Sequence, residues 1–421
     1  MTSTIKKIKA LFYQDEGSNL LQLIFWNSLY IAFFFLPIDI NIPTPFFIVA
    51  IISGCINIFK GTKKYESKNK VLLLFPIYFL VLAISLFYTQ NQSDGWHLIE
   101  RSLTLFLFPI IFLFLKEDAL SVRKLFDFLL FGLVVSFFIN LGFIVYDSFL
   151  IIDQLPSEVS FWKRFSIMWK LCMHVQFSSL INPGYVSLYI LLVLSNYLKN
   201  ELNSISRLLT VIILFTYLFL LASKAAYITL FLMSILLIIK VKDAKKKNLL
   251  IIILTLATIV FVGNPRIIKV DNNSYSKEVL NVNPMISWES RLLSWKAAVN
   301  AIEEAPFFGY GIGDAHDALI AKYRDLGYFE NYENRYNAHN QFLETWLQTG
   351  VLGVFILMAI FTYLALYTRR SFNDFSVFIA LFLALLFESM LVRFNGIVFF
   401  SIVVPLLLKE RSILSSRVIR N

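Results

Sequence analysis

Cysteine and charged residues are both scarce in this chain of 421 residues. Its two cysteines, Cys55 and Cys172, are too few for a disulfide framework or for paired thiolate ligands of a metal. Charged residues make up 16% of the sequence, whereas soluble domains usually contain about 25%. Hydrophobic residues reach 58%, with 43 phenylalanines. A soluble core cannot absorb this much apolar surface, so the composition excludes an ordinary soluble domain.

Apolar blocks of membrane length recur along the chain and are separated by short polar segments. A helix satisfies its own backbone hydrogen bonds, so such blocks predict transmembrane helices. We predict an all-α integral membrane protein with about twelve spans. These spans lie near residues 20–36, 46–59, 71–88, 103–115, 126–145, 183–198, 208–222, 225–239, 249–262, 342–366, 375–391 and 397–408.

The distribution of lysine and arginine predicts the orientation of these spans. A net charge of +10 could suggest a nucleic-acid partner, but the basic residues form short clusters at block ends and no single basic face. The clusters lie before the first span and at 60–70, 116–124, 199–207, 240–247, 369–370 and 409–420. They occupy alternate loops, as the positive-inside rule requires. We therefore predict that both termini are cytoplasmic and that the first helix is an uncleaved span.

The predicted spans divide the chain into three regions. Residues 1–264 contain spans one to nine and an amphipathic, interfacial helix near 158–176, with aromatic residues on one face. Residues 265–341 form one large helical loop on the outer side. Residues 342–421 contain the last three spans and a cytoplasmic tail. The outer loop is the expected location of the chemistry.

Ionisable groups close to the outer membrane surface are functional candidates, because charge at membrane depth is costly. Lys224 lies in a tight outer turn without a nearby acidic residue, although a lysine can also snorkel to the interface. Arg291 lies on a predicted helix over 286–305. It shares the predicted apolar face of that helix, formed by Trp288, Leu292, Trp295, Val299 and Ile302. A guanidinium facing the protein needs an anion, either a substrate phosphate or a buried carboxylate such as Glu388.

Two other features of the loop are weaker signals. The glycine-rich run at 306–313 does not match a dinucleotide-binding fingerprint, and we interpret it as a turn that returns the loop over the membrane. Asp314, His316 and Asp317 lack the spacing and the second ligand cluster of a zinc site. Capping or solvated roles are expected for these side chains, and no metal is predicted.

The most informative segment runs from Asn337 through His339 and Asn340 to Glu344 and opens the tenth span. A lone histidine at a helix start usually has a structural role. Here Arg291 and Lys224 are expected on the same side of the membrane, which favours a catalytic role for His339.

His339-Asn340, followed after nine residues by Gly350-x-x-Gly353, resembles the signature of bacterial O-antigen ligases, which share a superfamily with O-antigen polymerases. The resemblance extends to the Arg291 helix, the turn around Lys224, and the layout of twelve spans with one long loop. In this family an arginine usually stands where this chain has Lys224. A lysine keeps the charge but loses the planar fork that binds phosphate oxygens in pairs.

The resemblance implies a GT-C-like fold in the bacterial inner membrane and a glycan transfer from undecaprenyl diphosphate to a lipid A-core sugar hydroxyl. It implies His339 as general base, with Arg291 and Lys224 stabilising the diphosphate, an inverting reaction, and no cofactor or metal. The expected partners are the lipid-linked donor, a glycolipid acceptor and membrane lipid, but no nucleic acid. Further substrate contacts are expected from Asn340, Lys296, Arg393, Arg335 and His316.

Two alternatives remain at this stage. A polymerase of the same superfamily would join repeat units while they are still on the carrier. The segment 153–181 is short beside the large loop, whereas polymerases more often have two extended outer loops, so the ligase is favoured. A transporter or flippase of lipid-linked glycan would be expected to have two related halves and charges near the midplane, and neither is evident.

Overall fold

The computed structural model describes residues 12–13, 19–60, 67–115, 119–153, 159–171, 177–178, 180–197, 204–240, 242, 244–264, 288–369 and 372–418. The basic cluster before the first helix, loop residues 265–287 and residues 172–176 of the predicted interfacial helix lie outside these ranges. The described part of the chain is all-helical. Short 3₁₀ turns at Ser67–Leu73, Leu86–Tyr88 and Met390–Val392 join some of the helices.

Eleven α-helices precede the large loop. They are α1 (Leu20–Phe35), α2 (Pro43–Lys60), α3 (Leu74–Ser85), α4 (Gln92–Ser102), α5 (Thr104–Phe114), α6 (Ala119–Asp153), α7 (Phe161–Leu171), α8 (Pro183–Tyr197), α9 (Ile205–Leu221), α10 (Lys224–Lys240) and α11 (Ala244–Val262). Polar side chains begin several of them: Asn19 caps α1 and Ser204 caps α9 by accepting backbone N–H groups of the first turn.

Six helices follow. They are α12 (Trp288–Glu304), α13 (Ala315–Asp325), α14 (Phe329–Glu333), α15 (Gln341–Thr368), α16 (Phe372–Phe387) and α17 (Phe394–Val418). The core of the bundle is rich in aromatic rings, among them the fully buried Trp26, Tyr30 and Phe108. Helix α15 packs against α3 and α16, while α17 packs against α5.

Five helical segments of the described chain are long and apolar enough to cross a membrane. They are Pro43–Lys60, Asn69–Tyr88, Gln92–Phe114, Arg123–Ile151 and Gln341–Thr368. Shorter apolar helices accompany them, including Leu20–Phe35 and Ile205–Leu221. These helices agree with a helical membrane protein, while the count of twelve spans stays a prediction.

The structure corrects two predicted boundaries. Residues 90–101, predicted as an outer loop, are mostly helical: α4 covers Gln92–Ser102, begins after the cap residue Asn91 and continues into α5 after one turn residue, Leu103. The predicted span over 375–391 is too long at its end, since α16 stops at Phe387 and residues 388–393 form a turn. Glu388 therefore lies just beyond the helix end.

Residues 288–341, the described part of the predicted large loop, contribute most of a small separate core. Helices α12 and α13 pack together through Ala297, Ala298, Ala301, Leu319 and Tyr323. The predicted packing face of α12 was wrong in part, because Leu292 and Val299 are exposed at 39% and 45%, whereas Ile302 of the same face is buried. The buried face instead carries the small residues Ser290, Ser294, Ala297, Ala298 and Ala301. Small side chains permit close helix contact, which a hydrophobic pattern does not reveal.

Helix α15 reverses its direction at Gly350. This glycine has φ 65° and ψ −160°, which divides the helix into a first arm (341–349) and a second arm (351–368). The ring centroids of Phe342 and Phe361 lie 5.9 Å apart. A straight helix would separate these positions by roughly 28 Å. The two arms therefore fold against each other like a hairpin, so the tenth span predicted over 342–366 is not one straight helix.

Two glycines of the sequence signature make this hairpin possible. A Cβ atom on Gly350 would lie 2.0 Å from the backbone oxygen of Phe307, and its φ falls in the region that favours glycine. A Cβ atom on Gly353 would lie 1.9 Å from Thr349 Oγ1 and 3.2 Å from Thr345 Cγ2. Gly350 thus makes the reversal, and Gly353 lets the arms approach.

The glycine-rich run after α12 forms the predicted turn and holds this bend. Gly309 and Gly311 have φ values of 68° and 92°. The backbone N–H of Tyr310 donates to the oxygen of Leu347 at 2.7 Å, and that of Val351 donates to the oxygen of Pro306 at 3.2 Å. The loop is therefore fixed to α15 where the two arms meet.

Candidate active site

His339 lies in a tight connection that leads into the first arm of α15. Its backbone φ is 45°, in the left-handed region that is uncommon for residues other than glycine. The His339 N–H donates to Asn337 Oδ1 at 3.0 Å, and the Ala338 N–H donates to Glu344 Oε2 at 3.1 Å. Strained backbone of this kind persists when surrounding contacts over-determine it.

The carboxylate of Glu388 joins His339 to Arg291. Oε2 lies 3.1 Å from His339 Nδ1, and Oε1 accepts a hydrogen bond from Arg291 Nη2 at 2.5 Å. The side chains of His339, Arg291 and Glu388 are exposed by 6%, 13% and 28%. The alternative reading of Arg291, an ion pair with Glu388, is thus what the structure contains. We refer to these three residues as the His–Glu–Arg group.

The electrostatics of this group favour a charged carboxylate. Burial raises the pKa of Glu388, but the hydrogen bond and the positive charge of a protonated His339, together with the charge and hydrogen bond of Arg291, outweigh it and lower the pKa to about 2. An ionised carboxylate beside Nδ1 holds the proton of a neutral imidazole on that nitrogen. The other nitrogen, Nε2, is then left with its lone pair.

Two polar atoms of the group are buried and have no hydrogen-bond partner within the described ranges. They are His339 Nε2 and Arg291 Nε. Buried polar groups in folded proteins are nearly always satisfied, and exceptions often mark functional positions. Both atoms belong to side chains that hold Glu388, so they indicate a place where a substrate could supply the missing partners.

Aromatic rings form the walls of the group. Trp295 donates its indole N–H to the backbone oxygen of His339 at 3.3 Å and stacks on Phe387 at 6.3 Å. The ring of Tyr336 meets the imidazole edge to face, with centroids 5.7 Å apart. The Tyr336 ring therefore restricts the rotation of the histidine side chain, and Trp295 helps to fix the His339 backbone.

Asn340, Lys224 and Arg393 lie at or next to the first residues of helices. Asn340 Oδ1 accepts the N–H groups of Phe342 and Leu343 and so caps α15, which leaves its amide donors for other contacts. Lys224 is the half-buried first residue of α10, while the hydrogen bonds described for the Glu388 carboxylate come from Arg291 and His339. Arg393 is exposed and lies, like Glu388, within electrostatic reach of Tyr185.

The other three predicted contact residues are separate from the His–Glu–Arg group. Lys296 is exposed on α12, and His316 is half-buried at the start of α13. Arg335 forms an exposed ion pair with Asp317 at 3.1 Å. None of the three shares a hydrogen bond or ion pair with the group in the described structure.

Asp314 has a structural role, although not the expected cap. Its side chain makes no capping bond to α13. It instead accepts the backbone N–H groups of Gln90 and Asn91 at 2.6 and 2.7 Å, which fixes the loop to the turn before α4. Within the described ranges, no group of three or more His, Cys, Asp or Glu side chains is arranged to hold a metal ion.

Sequence reasoning named Glu388 only as a partner for Arg291 and gave Glu344 no role. The link from Glu388 to His339 joins residues 49 positions apart, and no local pattern signals such a contact. Glu344 had a detectable signal, since it is an acidic residue in the first turns of an apolar helix that follows the histidine.

The apolar helices and the buried His–Glu–Arg group together define a helical membrane protein with an ionisable centre close to a helix end. Residues 209–358 match the family model described as O-Antigen ligase. This match confirms the resemblance to the O-antigen ligase family and includes Lys224, Arg291, His339 and Gly350, while Glu388 lies beyond it. The family supports a ligase or polymerase activity of glycosyltransferase type. Among curated proteins, none matches the chain.

Proposed function

We propose that this protein is an O-antigen ligase-type glycosyltransferase. It transfers a glycan from undecaprenyl diphosphate to a sugar hydroxyl of lipid A-core on the periplasmic face of the inner membrane. The observation that carries this proposal is the His339–Glu388 pair, which leaves a buried, unpartnered Nε2 on the imidazole. A histidine general base requires a lone pair on one nitrogen, and a carboxylate at the other nitrogen holds the imidazole in the correct tautomer and orientation.

In the proposed reaction, the acceptor hydroxyl oxygen attacks the anomeric carbon of the donor sugar. His339 Nε2 takes the hydroxyl proton while the new C–O bond forms. The bond between the anomeric carbon and the diphosphate oxygen breaks, and the diphosphate leaves with the electron pair. Glu388 stabilises the imidazolium that results. A direct displacement of this kind inverts the anomeric centre.

Cationic side chains are needed to stabilise the leaving diphosphate. Arg291 binds Glu388 through Nη2, which leaves Nε and its other donors for a phosphate oxygen. Lys224 stands at the N-terminus of α10, where the helix dipole also favours an anion. Arg393 is exposed in the turn that contains Glu388 and is a third candidate. Loss of one such donor typically costs roughly 10²–10³ in kcat.

Purified protein in nanodiscs, supplied with lipid-linked glycan and lipid A-core, tests the proposal. We expect His339→Ala to abolish product on lipid A-core. A matched control is His97→Ala, since His97 is 65% exposed on α4 beside Glu100 and is expected to be dispensable. Wild-type transfer by His339→Ala would refute the base assignment.

The same assay separates the ligase from the polymerase, which the family match supports equally. Longer glycans that stay on the carrier, with none on lipid A-core, would identify a polymerase that uses the same histidine. Movement of the donor across the membrane without bond formation would instead indicate a flippase.

A further inference from the structure

Glu344 connects the two segments that carry His339 and Glu388. Its side chain is 3% exposed within the first arm of α15. The single oxygen Oε2 accepts the Ala338 N–H at 3.1 Å and the Ser389 hydroxyl at 3.3 Å. Ala338 directly precedes His339, and Ser389 directly follows Glu388. One carboxylate oxygen therefore holds a neighbour of each member of the proposed base pair.

The same arm binds the turn after Glu388 at a second point. Gln341 Oε1 accepts the Leu391 N–H at 2.6 Å, and Gln341 Nε2 donates to Thr345 Oγ1 at 3.2 Å. Thr345 in turn pairs with the hydroxyl of Tyr78 on α3 at 3.0 Å. The first arm thus serves as a rigid support for the turn, and Glu344 is the part of it that also reaches the histidine segment.

We propose that Glu344 is a positioning residue, which sets the distance and angle between the His339 imidazole and the Glu388 carboxylate. This inference rests on the proposed function, in which that pair acts as the base. Without the bond to Ala338, the left-handed backbone at His339 loses one of the contacts that maintain it. Without the bond to Ser389, the turn that carries Glu388 is held to this arm only through the bond from Leu391 to Gln341, which lies further from Glu388.

Two conservative substitutions of Glu344 separate the effect of side-chain length from the effect of charge. Glu344→Gln keeps the length of the side chain and an acceptor oxygen but removes the charge. Glu344→Asp keeps the charge but is one methylene too short for both bonds. We expect Glu344→Asp to lower kcat by roughly 10–100-fold, because small misplacements of catalytic groups have effects of this size. The KM for the donor should stay unchanged, and Glu344→Gln should retain most of the activity.

A matched control lies in the same arm. Thr349→Val removes a buried hydroxyl that donates to the backbone oxygen of Thr345 at 2.8 Å, and it preserves the shape of the side chain. This variant should keep wild-type kcat, which shows that a lost hydrogen bond in the arm is not by itself sufficient. If Glu344→Gln is as impaired as Glu344→Asp, or more so, charge and not reach is the important property, and the proposal is overturned.

A second measurement does not depend on activity. Diethyl pyrocarbonate modifies unprotonated imidazoles, and mass spectrometry gives the rate at each histidine. We expect faster modification of His339 in Glu344→Asp than in the wild type, with no change at the exposed His97. An unchanged rate at His339 would contradict the positioning role.

The two proposals fail in different ways. If His339→Ala transfers glycan at the wild-type rate, the proposed function fails regardless of Glu344. If His339→Ala is inactive while Glu344→Asp has wild-type kcat, the function stands and the positioning role is wrong.

Discussion

Replacing Gly350 with alanine tests the hairpin of α15 directly. The added Cβ atom would lie 2.0 Å from the Phe307 oxygen, 2.3 Å from the Phe307 carbonyl carbon and 2.6 Å from the Phe308 nitrogen. All three are backbone atoms, which cannot rotate away as a side chain can. Either the loop or the first arm of α15 must move by about 1 Å to restore a normal contact distance.

Two terms determine the expected loss of stability. The backbone angles of Gly350, φ 65° and ψ −160°, cost an L-residue about 1–3 kcal/mol. Overpacking against fixed atoms adds about 1–3 kcal/mol. The sum is about 2–6 kcal/mol, a large part of the stability of an ordinary domain. The first arm also carries the segment of His339, and a displacement of 1 Å lowers the rate by roughly 10²-fold.

Thermal unfolding in detergent and glycan transfer in nanodiscs measure the two effects. Gly142→Ala is the matched control, because its Cβ would meet nothing within 4 Å in the middle of α6. In a helix interior this change stabilises by about 1 kcal/mol, so Tm should stay equal or rise slightly. If Gly350→Ala has the same Tm and the same rate of glycan transfer as Gly142→Ala, a glycine at position 350 is not required for the reversal.

Three further predictions concern the charged contacts. Glu388→Gln should be less stable than the wild type at pH 7, by up to about 3 kcal/mol. The pKa of Glu388 is lowered from 4.5 to about 2. The difference in Tm between the wild type and Glu388→Gln should therefore shrink as pH falls from 4.5 towards 2. A difference in Tm that stays constant over this range would contradict the prediction. Arg291→Lys should lower the rate of glycan transfer at least tenfold, because lysine lacks the guanidinium fork. A transfer rate equal to that of the wild type would exclude phosphate binding by this fork. Asp314→Asn should lower the unfolding free energy by about 1–3 kcal/mol, through its bonds to the turn before α4, without changing kcat of the folded protein.

The helices could be predicted because a chain in lipid must satisfy its own backbone, so apolar length and helix coincide. The end of α16 was missed because the prediction relied on apolar length alone. Apolar residues lie before Glu388, up to Phe387, and after Ser389, at 390–392, and hydropathy alone does not reveal a turn within such a run. The packing face of α12 was missed because Ser290 and Ala297 have little hydrophobic signal, although their small size brings the helix close to its neighbours.

The proximity of two candidate site residues could be predicted, while their catalytic roles stay predictions. His339 and Arg291 were identified from residue chemistry and motif resemblance, and the structure brings both to Glu388. Their geometry depends on contacts between distant positions, which a single sequence does not encode locally. The reversal at Gly350 was not predicted either, because a glycine in an apolar helix is usually compatible with a straight helix, and its φ is set by the contact with Phe307.

The hairpin also explains why the number of residues between Asn340 and Gly350 matters. The length of the first arm sets the distance between the bend at Gly350 and the segment that carries the His339 imidazole. One inserted residue would rotate the histidine by about 100° around the arm and shift it by about 1.5 Å. The imidazole would then face away from Glu388. Substitutions along this arm can therefore be tolerated more readily than a change in its length.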